Sequence, residues 1–87
     1  MKEAIFPAPG PTGLHARTAG LLMKAASAFK ARIDVSANGR TADAKSVMGL
    51  MALGAEAGTP LTIRADGPEA EQAVKAIGAF LTGKPIK

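Results

Sequence analysis

The chain has no cysteine, no tryptophan, no tyrosine and a single histidine among its 87 residues. Without cysteine there is neither a disulfide framework nor a thiolate nucleophile, which suits a reducing compartment. One histidine and no thiol leave too few ligands for a zinc or iron centre, so no metal and no built-in cofactor is expected. Aromatics are scarce: Phe6, Phe29 and Phe80 are all there are. The core must therefore be built from Leu, Ile, Val, Met and Ala, and the rings on which single-stranded nucleic acid would stack are nearly missing. No segment approaches the ~20 apolar residues of a membrane span. Lys2, Glu3 and the prolines from Pro7 onward leave no apolar stretch of signal-peptide length at the N-terminus. The expectation is a cytoplasmic, soluble protein with no membrane insertion.

Hydrophobic residues make up 47% of the chain, a globular level, and 87 residues make one small domain, 1–87. Such a domain folds alone but cannot enclose a deep cavity, so any chemistry belongs at its surface. The formal net charge is +4. Along the middle of the chain Lys24, Lys30, Arg32, Arg40, Lys45, Arg64 and Lys75 are spread singly. That pattern suits acidic protein partners, with a small nucleic-acid-binding domain as a weaker alternative that a steep salt dependence of binding would reveal.

The periodicity divides the chain into seven elements. Lys2 to Phe6 is β-prone and is kept from a central position by Pro7, Pro9 and Pro11. The proline- and glycine-rich segment up to Gly13 is a stiff loop. From about Ala16 to about Phe29, Ala19, Leu22, Met23, Ala26 and Phe29 form one apolar helical stripe. Ile33 and Val35 alternate with polar residues as a strand, Asn38-Gly39 supplies the positive-φ pair of a tight hairpin, and Arg40 to Ala44 returns. Ser46 is a plausible N-cap for a short helix that ends at Gly54, with Leu50 and Leu53 in the core. Leu61, Ile63 and Ala65 alternate as a strand closed by Asp66-Gly67-Pro68. Pro68 suits the first position of a last helix whose dipole Glu69 and Glu71 complement. Ala73, Val74, Ile77, Phe80 and Leu81 form its buried stripe, and Gly83 with Pro85 marks its stop. This β-α-β-β-α-β-α order makes an α+β fold, with helices packed on one side of a four-stranded sheet.

Gly13-Leu14-His15-Ala16-Arg17 is the stretch with chemical potential. A lone histidine is most simply a loop residue, but this one falls at a helix start, where unpaired N–H groups and the dipole favour an anion. Histidine is the side chain whose ordinary pKa leaves a neutral ring nitrogen available near physiological pH. Arg17 adds a guanidinium that binds phosphate oxygens in a fork. The two can cooperate only if His15 is the cap and Arg17 lies in a frayed first turn. Nothing in the spacing supports a Ser-His-Asp arrangement. A histidine that is itself the nucleophile, carrying a phosphoryl group between proteins, needs only a helix start and a cation.

The second constellation is Lys45-Ser46-Val47-Met48-Gly49-Leu50-Met51. A short helix cannot bury every side chain, so Val47, Met48 and Met51 are expected to form an exposed apolar patch of the kind that marks a partner site. A phosphate on Ser46 would put negative charge beside that patch.

Gly13-Leu14-His15-Ala16-Arg17, Asn38-Gly39, Ala44 to Met51 and Leu53-Gly54, at this spacing, resemble the HPr family of phosphocarrier proteins of the bacterial phosphoenolpyruvate-dependent sugar phosphotransferase system. The likeness covers nearly the whole chain. It implies an open-faced β-sandwich in which three helices cover one face of an antiparallel sheet of order 1-4-2-3. It also implies phosphorylation of His15 on Nδ1 by enzyme I and transfer to the IIA domains of sugar permeases. In that light His15 is the phosphoryl acceptor, Arg17 its phosphate-binding neighbour, and the backbone of Ala16, Arg17 and Thr18 the phosphate cradle. Ser46 becomes a candidate regulatory site for an HPr kinase/phosphorylase. Leu21, Lys24, Val47, Met48 and Met51 match the partner-facing surface, with a transcription regulator as a further partner. The implied protein is a monomeric carrier rather than an enzyme. A regulatory binding module of the nitrogen-related branch, or one that contacts a transcription factor without a phosphate relay, is the alternative. The family usually has proline after the arginine. Here Thr18 loses the preset φ and is expected to add a hydroxyl near the phosphate.

Overall fold

Alternation along the strands decides which way the sheet faces. The computed structural model describes residues 1–82. Its elements are β1 (Lys2–Pro7), α1 (Ala16–Ser27), β2 (Arg32–Ala37), β3 (Arg40–Asp43), α2 (Val47–Ala52), β4 (Pro60–Asp66) and α3 (Ala70–Thr82). The four strands pair antiparallel in the order β1-β4-β2-β3. Register places Ala4, Ile63, Val35 and Ala42 in one row across the sheet, with Ala65 beside Ile33 and Phe6 beside Leu61 in the rows flanking it. This face is the apolar one and carries the helices. The opposite face holds Glu3, Arg64, Asp34 and Asp43 in one row and Ile5, Thr62, Ser36 and Thr41 in the next, and remains wet. An antiparallel sheet tolerates this division because each strand alternates sides.

The core is aliphatic, as the scarcity of aromatics requires. Leu22, Ile33, Val35, Leu50, Leu61, Ile63 and Ile77 are its largest fully buried side chains, whereas Phe6, Phe29 and Phe80 pack against it half-buried. α3 lies over β1 and β4, α2 lies over β3, and α1 packs against both helices. Close approach of α3 to β1 depends on Gly78, where a Cβ would overlap the Phe6 ring.

The hairpin between β2 and β3 turns through Asn38 at φ 53° and Gly39 at φ 76°, the twist that matches right-handed strands. β1 extends one residue further than expected, to Pro7, which an edge strand permits because its outer N–H is not needed. α3 begins later than expected. Pro68 lies in the turn before the helix, so it does not occupy the first helical position, and Glu69 is the cap whose carbonyl accepts the Ala73 N–H at 2.9 Å. The Glu69 carboxylate is drawn to the loop between α1 and β2 instead, where it accepts the Lys30 N–H at 2.7 Å. Glu71 alone remains in the first turn of α3. The stop expected at Gly83 and Pro85 lies outside the described residues.

Candidate functional site

Three separate pieces of chain meet below His15. The first is the loop after β1. Ala8 and Leu14 are buried there, and each N–H from Gly13 to His15 has a partner. Gly13 N–H donates to the Pro9 carbonyl at 2.8 Å, Leu14 N–H to the Ala55 carbonyl at 2.9 Å, and His15 N–H to the Thr18 hydroxyl at 3.0 Å. The second piece is Ala55-Glu56, which follows α2. Gly13 sits against it at φ 74°, and a Cβ there would overlap the Ala55 carbonyl oxygen and lie 2.7 Å from the Glu56 carbonyl carbon. Only glycine satisfies both the left-handed backbone and this approach. The third piece is the first turn of α1.

His15 is the N-cap of α1, extended at φ −119° and ψ −172°, and its carbonyl accepts the Ala19 N–H at 2.7 Å. Its ring is exposed and turned toward the Thr18 N–H in the manner of a capping box, without closing a hydrogen bond to it. Thr18 completes the box from the other side. Because the N–H groups of residues 13 to 15 are already occupied, those of Ala16 and Arg17 are the donors left open at the helix end, with that of Thr18 facing the His15 ring. No acidic residue stands in the first turn to neutralise them. The local field therefore favours an added anion beside an exposed imidazole.

Arg17 is exposed and makes no hydrogen bond or ion pair with His15 or any other described residue. Its guanidinium is thus uncommitted, on a long side chain next to the helix end. Thr18 departs from expectation. Its hydroxyl is directed inward, donating to the Gly13 carbonyl at 2.6 Å, with the His15 carbonyl at 3.2 Å as a second acceptor, so its proton is not presented to the space beyond the ring.

Ser46 caps α2 as its position suggests, its hydroxyl accepting the Gly49 N–H at 3.1 Å. The other end of α2 is held by the hairpin. Asn38 donates its side-chain amide to the carbonyls of Leu53 and Gly54 at 2.9 and 3.2 Å, and Arg40 donates to that of Ala52 at 2.8 Å. These bonds fix the turn that leads into Ala55, and through it the floor under Gly13. Nothing local in the sequence marks Ala55, Glu56 or Asn38 as supports for a histidine forty or more residues from the former pair.

Of the expected apolar patch, Met48 is 78% exposed and Met51 40%, with Leu21 of the neighbouring α1 at 47%. Val47 is the exception: it packs half-buried against the core and contributes less to this surface than expected. Lys24 is exposed in the last turn of α1. Among the described residues no three His, Cys, Asp or Glu side chains are grouped to hold a metal ion, and no helix is long and apolar enough to cross a membrane.

Residues 6–83 match the model of the PTS HPr component phosphorylation site family. The phosphocarrier protein HPr of Mycoplasma capricolum is 48% identical over 65 residues, 75% of this chain and 73% of that one. That of Cupriavidus necator is 40% identical over 72 residues, 83% of this chain and 81% of that one. Among solved structures, HPr from Thermoanaerobacter tengcongensis superimposes with a TM-score of 0.90 at 36% identity, covering 99% of this chain and all of the other.

Proposed function

The chain belongs to the HPr family of phosphotransferase-system phosphocarriers, and on that premise we propose that His15 takes a phosphoryl group from phospho-enzyme I and passes it to IIA domains of sugar permeases. The observation that supports this most is the placement of His15. It is an exposed imidazole at the cap of a helix whose Ala16 and Arg17 N–H groups are open and whose first turn carries no acid.

In the forward step the lone pair of the neutral ring Nδ1 attacks phosphorus in line. The new N–P bond forms as the bond to the donor group on enzyme I breaks, and that donor keeps the electron pair. The equatorial oxygens come to lie against the N–H groups of Ala16, Arg17 and Thr18, and the free Arg17 guanidinium closes over them. The reverse geometry serves delivery to a IIA domain. A shallow, open cradle suits a group that must leave again, because a site that bound it tightly would trap it. Leu21, Lys24, Met48 and Met51 form the surface on which both partners dock, with Val47 behind them.

Ser46 is the regulatory position of this reading. Its hydroxyl already faces the N–H of Gly49, so phosphate added by an HPr kinase/phosphorylase would be accommodated at the cap while charging the edge of the docking surface. A transcription regulator that recognises the Ser46-phosphorylated form is the corresponding further partner.

Incubation with phosphoenolpyruvate and enzyme I is the test. Formation of an acid-labile phosphate on His15, absent from His15→Ala, is expected. Equal labelling of parent and His15→Ala would overturn the assignment.

A further inference from the structure

We propose that the Thr18 side chain is a positioning residue for phosphoryl transfer, and that it acts by clamping the backbone on both sides of Leu14 rather than by touching the phosphate. The proposal rests on the reading of His15 as the phosphoryl acceptor. A hydroxyl has one proton to give and lone pairs to receive with. Here the proton goes to the Gly13 carbonyl at 2.6 Å while the oxygen receives the His15 N–H at 3.0 Å. One oxygen atom thereby joins the peptide group before Leu14 to the peptide group after it and ties both to the first turn of α1.

Gly13 and Leu14 have a second anchor, the Ala55 carbonyl and the chain behind it. The His15 N–H has none besides Thr18. The carbonyl of His15 is held by the Ala19 N–H of the helix, but the N–H side of its extended backbone is held by this one hydroxyl alone. The same bond keeps the His15 N–H from turning outward to compete for an incoming phosphoryl oxygen, so the cradle consists of helix N–H groups alone. Without the hydroxyl, water takes over both bonds, and the ring samples orientations away from in-line attack.

Two variants separate positioning from simple stability. Thr18→Val keeps the branched shape and removes the hydroxyl, whereas Thr18→Ser keeps the hydroxyl. Transfer from phospho-enzyme I is followed by rapid quench over a range of carrier concentrations, with urea midpoints recorded alongside. Nitrogen NMR reads the His15 ring signals and the exchange rate of the His15 amide. The expectation for Thr18→Val is a fall in kcat of about tenfold at little-changed KM, faster exchange of the His15 amide and displaced ring signals. Thr18→Ser is expected to transfer within about twofold of the parent. A Thr18→Val protein that transfers at the parent rate with an unmoved ring spectrum overturns the proposal, as does a Thr18→Ser protein as slow as Thr18→Val. If the parent itself gains no phosphate, it is the carrier reading that fails, and the amide-exchange comparison still decides whether Thr18 holds His15.

Discussion

Replacing Gly13 with alanine probes the floor of the site directly. Two costs arise, and a second glycine separates them. At φ 74° the alanine backbone is left-handed, a strain of about 1–2 kcal/mol, part of which is returned because alanine also restricts the unfolded chain. The Cβ also meets the Ala55 carbonyl oxygen and lies 2.7 and 2.8 Å from the carbonyl carbon and Cα of Glu56. These are backbone atoms, so no side chain can swing aside. The loop must lift, and the Leu14 N–H to Ala55 bond is lost with it, adding about 0.5–1.5 kcal/mol. Gly39 at φ 76° has nothing within 4 Å of its Cβ direction, so Gly39→Ala carries the backbone strain alone. Urea or thermal unfolding should place Gly39→Ala about 0.5–1.5 kcal/mol below the parent. Gly13→Ala should fall about 0.5–1.5 kcal/mol further, or some 2–12 °C in Tm for a chain of this size. Phosphorylation of His15 by enzyme I should slow in Gly13→Ala and not in Gly39→Ala. Equal stability losses in the two variants, with transfer unaffected in both, would refute the idea that contact with Ala55-Glu56 positions the histidine.

Three further outcomes follow from contacts described above. Ser46→Ala loses the cap to Gly49 and should cost about 1 kcal/mol in unfolding experiments, whereas Ser46→Asp keeps an acceptor there and should stay within a few tenths of the parent. Met48→Ala should leave stability within about 0.5 kcal/mol because the side chain is mostly in water, yet raise the KM for delivery to a IIA domain several-fold; an unchanged KM would remove Met48 from the docking surface. Asn38→Gly retains the turn but deletes the amide bonded to Leu53 and Gly54, and should cost about 1 kcal/mol together with faster exchange of the Leu14 amide, which reports on the floor that Asn38 supports.

Local rules made much of the fold legible. Asn38-Gly39 could be placed in a hairpin because few residues accept positive φ, and Ser46 at a helix start because its hydroxyl replaces a missing acceptor. Alternation at Ile33-Val35 and Leu61-Ile63-Ala65 identified the buried face. The errors lie where local and distant preferences compete. Pro68 and Glu69 look like a helix start, but the Glu69 carboxylate is claimed by the Lys30 N–H in the distant loop between α1 and β2, and the helix begins beyond it. Val47 looks as exposed as Met48 on a short helix but packs half-buried against the core. At the site, His15 and the helix end were readable, since histidine and N–H groups occupy adjacent positions. The inward Thr18 hydroxyl was not, because its acceptor at Gly13 becomes available only once the loop is folded back against Ala55.

The wet face of the sheet has a practical meaning for experiment. All of the proposed chemistry lies on the helical side, while Ile5, Thr62, Ser36 and Thr41 form a row behind it that no helix covers. In a chain with no native thiol, a single cysteine in place of Ile5, which is 64% exposed on an edge strand, gives a unique point for a fluorophore, a spin label or a solid support. The carrier could then be held by its back, with its histidine turned to each partner in succession and every handover observed on one molecule.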